Sequence, residues 1–114
     1  MLTLDALKRF GADTEEGLSR CFNNEAFYLR LVGMIKDEKN FELLEKAIEE
    51  NDLDAGFEAA HALKGVLGNL SLTPMTEIAV EMTELLRNRT RTDYSGMLSS
   101  LLEKKRELDK LLED

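Results

Sequence analysis

The chain has 114 residues, 43% of them hydrophobic and 33% charged, with one Pro and seven Gly. That length fits one domain with a single core, and the composition excludes collagen-like, linker-type and globally disordered chains. With 15 Lys and Arg against 23 Asp and Glu the net charge is −8, so phosphate backbones and anionic membranes repel the chain and nucleic acid is a poor candidate partner.

Helical periodicity runs through nearly the whole sequence. Two short amphipathic segments open it, at about 3–10 and 14–22, separated by Gly11-Ala12-Asp13. Asn23 or Asn24 then caps a run from Glu25 to Lys36, whose apolar positions 27, 28, 31, 34 and 35 share one helical face. A second run, Phe41 to about Glu50, sets Leu43, Leu44, Ala47 and Ile48 on one side. These two runs form either two helices or one long helix bent near Lys39-Asn40. Asn51-Asp52-Leu53-Asp54 is a capping cluster that starts the longest run, Ala55 to about Leu72.

Pro74 stops that run and starts the next, since Pro disfavours helix before it and is tolerated in a first turn. Thr73 resembles a cap, and the helix from Pro74 to about Asn88 carries Ile78, Met82, Leu85 and Leu86. After the polar turn Thr90-Arg91-Thr92-Asp93, the last helix, about Tyr94 to Leu112, presents Met97, Leu98, Leu101, Leu102, Leu108, Leu111 and Leu112. No run alternates with period two, so no sheet is expected. The expectation is an all-α fold: an antiparallel up-down four-helix bundle in one domain, residues 1–114, with a core at about 24–112 and a short N-terminal helical cover at about 3–22.

Chemistry can reside in one place. The sole histidine, His61, lies within Glu58-Ala59-Ala60-His61-Ala62-Leu63-Lys64-Gly65-Val66-Leu67-Gly68-Asn69-Leu70. At about 100° per residue, Ala60, Leu63, Leu67 and Leu70 define a core stripe. His61 then lies roughly 140° from the centre of that stripe and Gly65 close to about 180° away, with Phe57, Glu58, Lys64 and Gly68 flanking the histidine. Asn69 falls at the margin of the core stripe, in a structural position.

An exposed imidazole with a pKa near ~6.5 is a competent nitrogen nucleophile at cellular pH. Lys64, three positions on, can neutralise a negative group attached to the ring. Gly65 and Gly68 each cost a helix interior about 1 kcal/mol relative to Ala. On an outward face, an approaching partner or phosphoryl group explains them better than core packing does. The imidazole leans toward Phe57 and Glu58. Glu58 is a candidate hydrogen-bond acceptor for one ring nitrogen, and Phe57 is either a boundary core residue or a docking contact.

His61-Ala62-Leu63-Lys64-Gly65, with Gly68 after it, resembles the His-x-Leu-Lys-Gly signature of histidine-containing phosphotransfer domains. The likeness extends over about 24–112, through the capped start, the alanines before the histidine and the helix after Pro74. It implies that His61 accepts a phosphoryl group from the aspartate of one receiver domain and passes it to another. It makes Lys64 the charge partner, Gly65 the clearance residue and Gly68 a small position that lets the receiver approach; Phe57 and Glu58, placed beside His61 by the helical spacing, are expected as further partner contacts. Implied partners are the receiver domains of response regulators or of a hybrid histidine kinase. The Mg²⁺ used in such transfers belongs to the receiver, so no cofactor is expected here. There is no Gly-x-x-x-x-Gly-Lys loop, and neither a nucleotide site nor autonomous kinase activity is expected.

Rival readings are weaker. Glu58-Ala59-Ala60-His61 is formally a Glu-x-x-His pair, but a di-iron bundle needs two such motifs and two further inward carboxylates. The chain has no second histidine. Nothing in the sequence sets Cys21 or a serine beside His61. The main alternative is a helical interaction module that is not phosphorylated, its acidic stretch Asp37–Glu58 facing a basic partner. Arg87, Arg89 and Arg91, and Lys104-Lys105-Arg106, fall near helix C-terminal turns or on outer faces, where helix dipoles account for some of them. The lone Cys21 suggests a reducing compartment. With no signal-peptide pattern and no run of ~20 apolar residues, a cytoplasmic location is expected, and a monomer because one bundle uses up most of the apolar residues.

Overall fold

A computed structural model describes residues 1–113. It contains α1 (Leu4–Phe10), α2 (Thr14–Arg20), α3 (Glu25–Gly33), a 3-10 turn (Met34–Asp37), α4 (Asn40–Glu49), α5 (Leu53–Asn69), α6 (Thr73–Arg87) and α7 (Ser95–Glu113), and no strand among the described residues. Helices α4, α5, α6 and α7 pack in an up-down ring, each against the next and α7 against α4.

The helix starts follow local chemistry. The side chains of Thr3, Asp13, Asn24 and Asp52 accept hydrogen bonds from the amides of Ala6, Glu16, Phe27 and Ala55, at 3.0–3.1 Å. Each such cap stabilises its helix by about 1 kcal/mol. Asn24 takes that role, while Phe22 and Asn23 adopt left-handed backbone in the turn before it. Thr73 does not cap α6. Leu72 precedes the helix without a side-chain cap, and Thr73 lies inside its first turn beside Pro74. The run expected to reach Leu72 ends at Asn69, where left-handed Ser71 turns the chain.

Helices α3 and α4 are separate. Glu38 is extended, with ψ of 116°, and its carboxylate accepts from the Asn40 amide and side chain, closing the open start of α4. Together α3 and α4 run the length of α5. Tyr28 reaches the turn after α5, while Ala47 meets the opposite end near Gly56.

The core joins both halves of the chain. Leu7, Tyr28, Leu44, Leu63, Leu67, Met82 and Leu101 are fully buried, and each large apolar side chain so buried is worth about 1.5–3 kcal/mol. Two residues expected on core faces are not there: Met34 is 64% and Leu43 54% exposed. Met34 falls in the 3-10 turn, whose tighter winding rotates it off the face shared by Tyr28 and Ile35. Leu43 lies at the edge of a stripe wider than its neighbours cover. Lys105, expected on an outer face, is largely covered. It pairs with Asp109 at 2.7 Å, donates to the Lys36 carbonyl and lies 5.3 Å from the Phe41 ring centroid.

The N-terminal helices close over the α5–α6 turn. Asp13 N–H donates to the Ser71 carbonyl, Ser71 Oγ to Glu16, Arg20 to the Gly68 carbonyl and Tyr28 Oη to the Leu70 carbonyl. Gly11, at φ of +111°, packs against Pro74. The end of α5 beyond His61 is thereby pinned, and no helix among the described residues is long and apolar enough to cross a membrane.

Candidate functional site

Helix α5 sorts its side chains as the periodicity requires. Ala60, Leu63 and Leu67 are buried within it, and Leu70 just after it, whereas His61, Ala62 and Gly65 are exposed. Asp52 caps its start, and α4 and α6 pack against it. The histidine therefore projects from a fixed backbone.

Around His61 the surface is open on one side and shaped on the other. A Cβ at Gly65 would meet nothing within 4 Å. Lys64 is half-buried, and no carboxylate among the described residues comes within ion-pair distance of its ammonium. The outward reading of Gly68 needs correction. It is half-buried, and a Cβ there would touch Thr76 Cγ2 at 3.7 Å, so its small size also serves the α5–α6 contact. Asn69, expected at the core margin, is exposed.

The imidazole finds an aromatic neighbour. No hydrogen bond joins Glu58 to it among the described residues, and Glu58 instead borders a groove shared with Lys46 and Leu43 of α4. Phe57, one turn before His61, stacks on the ring with centroids 5.3 Å apart and planes at 23°. The guanidinium carbons of Arg87 and Arg89 lie 5.1 and 5.3 Å from the Phe57 centroid. Arg87 is held by Glu84 at 3.2 Å and Arg89 by Asp54 at 2.7 Å.

Helical spacing sets these two arginines near a helix C-terminal turn or on an outer face and carries no link to the histidine. The link is tertiary. With Gly68 facing Thr76 and Phe57 facing Arg87, the antiparallel register of α5 and α6 carries the end of α6 to the histidine's N-terminal side and sets Val80, 41% exposed, level with Lys64.

A groove lies at the bundle end formed by the α4–α5 and α6–α7 connections, bordered by Asn51, Asp54, Arg91, Tyr94 and Leu98, and does not include His61. Among the described residues no three His, Cys, Asp or Glu side chains gather in a way that could hold a metal ion. His61 is exposed beside the open Gly65 position, where a partner's surface can reach it.

A family model described as the Hpt domain matches residues 37–114, from the 3-10 turn's last residue through α7, and leaves α1–α3 outside the match. No curated protein and no solved structure matches the chain.

Proposed function

The chain belongs to the Hpt domain family, and we propose that His61 is its phosphoryl carrier, accepting the group from the aspartate of one receiver domain and passing it to another. Hpt domains serve histidine phosphotransfer in two-component phosphorelays and interact with the receiver and kinase domains of those systems. What supports the specific reading is one observation: an exposed imidazole shares its helix face with an uncommitted lysine and a glycine that has open space above it.

The step is an in-line displacement. The lone pair of a neutral ring nitrogen attacks phosphorus of the aspartyl phosphate. A nitrogen–phosphorus bond forms as the acyl oxygen–phosphorus bond breaks, and the carboxylate leaves with the electron pair. The proton on the other ring nitrogen stays in place. Transfer to a second receiver reverses these bond changes.

Catalysis of this kind rests on positioning and charge. Lys64 supplies an ammonium one helical turn from His61, where it can meet the equatorial oxygens. Gly65 leaves room for the receiver, and Phe57, Glu58 and Gly68 border the surface that it covers. Metal and acceptor carboxylate come with the receiver.

Radiolabelled, phosphorylated receiver domains from the same cell provide the test. Label appearing on this chain supports the relay. Binding of receivers without transfer from any of them favours an interaction module that is not phosphorylated.

A further inference from the structure

His61 has no hydrogen bond and no ion pair among the described residues, and its ring stacks on that of Phe57. An exposed imidazole without such a contact exchanges rotamers in picoseconds to nanoseconds, spending only part of its time aimed at an incoming phosphorus. The stack has the geometry aromatic pairs prefer, offset and within the ~4.5–7 Å centroid range.

Phe57 is itself held. It is half-buried on α5, and both the Arg87 and Arg89 guanidinia lie within cation–π distance of its ring. Arg89 is anchored through Asp54 and the Leu86 and Arg87 carbonyls, and keeps a left-handed backbone at φ of 50°, a conformation that non-glycine residues seldom adopt. The start of α5 and the end of α6, which meet at one end of the pair, therefore fix one aromatic ring, and that ring backs the histidine.

We infer that Phe57 is a positioning residue: its ring, clamped by Arg87 and Arg89, sets the orientation of the His61 imidazole for phosphoryl transfer. This rests on the reading of His61 as the carrier. The role differs from that of Lys64, which would act on the phosphoryl oxygens. It also differs from partner docking, because the effect should persist with a donor too small to dock.

The test uses the full chain as wild type, Phe57→Leu and Phe57→Tyr, with phosphoramidate as the donor. A His61 nitrogen–phosphorus bond forms, the donor's phosphorus–nitrogen bond breaks, and ammonia leaves. Because His61 is the only histidine, its two carbon-bound ring protons give one assignable imidazole signal set by NMR.

Wild type and Phe57→Tyr should show those protons displaced by the ring current of residue 57 and should be labelled at similar rates. Phe57→Leu, with unchanged circular dichroism, should lose the displacement and be labelled about three- to tenfold more slowly. Labelling of Phe57→Leu at the wild-type rate, or undisplaced protons in the wild type, would overturn the inference. Absence of label on the wild type, from phosphoramidate and from receivers alike, would instead remove the carrier reading on which it stands.

Discussion

The ring of Tyr28 rests directly on the backbone of Gly17. A Cβ at that glycine would lie 2.5 Å from ring atoms Cε1 and Cζ. Tyr28 cannot yield, because it is fully buried and its hydroxyl donates to the Leu70 carbonyl at 2.8 Å. Gly17→Ala should therefore lower the unfolding free energy by about 1–3 kcal/mol, overriding the helix-propensity gain of ~1 kcal/mol. A urea titration should show a lower midpoint with an unchanged slope.

The same tyrosine gives the fold an alkaline limit. Burial, then the neighbouring Cys21 and Asp13 charges, push its pKa from 10.0 up to about 12. Below pH 10 the hydroxyl is protonated in folded and unfolded chains alike, and the buried group's stabilisation is complete. As pH rises toward 12 the unfolded chain releases its proton first, and stability falls by roughly 2–3 kcal/mol. Urea midpoints at pH 9 and pH 11 should show roughly half of this fall, ~1.4 kcal/mol, in the wild type and a smaller change in Tyr28→Phe.

Gly65 should respond oppositely to Gly17. Its Cβ position is open, so Gly65→Ala should raise stability by about 0.5–1 kcal/mol. Gly65→Gln should keep the fold and still accept label from phosphoramidate. Transfer to it from a phosphorylated receiver should fall about tenfold or more, because the new side chain occupies the docking path. Comparing the two donors separates a steric block from a damaged histidine.

Lys64 acts through charge. Lys64→Ala should slow receiver-to-His61 transfer about tenfold, the scale of one lost charge-assisted contact. Lys64→Arg should recover part of that loss, since it keeps the charge but not the compact ammonium. Single-turnover rates at matched protein concentration decide this.

The sequence carried what is periodic and local. The stripe of Ala60, Leu63, Leu67 and Leu70 and the outward His61 follow from helical spacing, and the Asp52 cap from residue chemistry. The rest depends on neighbours distant in sequence. Leu43 is exposed at the edge of its stripe, and Met34 because a 3-10 turn breaks the helical spacing that placed it inward, and neither fact is contained in the periodicity. Gly68 is both clearance and packing residue because Thr76 comes back beside it. The arginines at the end of α6 looked like dipole partners until the α5–α6 register brought them to Phe57. Thr73 carried a capping side chain but fell one position inside the helix it was expected to cap.

The most direct test of the carrier role is the chemistry of the transferred label on wild type and His61→Gln. Phosphorylated receiver domains should place on the wild type a label that survives base and is lost in acid, as a nitrogen–phosphorus bond requires. His61→Gln, folded and still able to bind the receiver, should acquire none. Label retained on His61→Gln, or an acid-stable label on the wild type, would contradict the account.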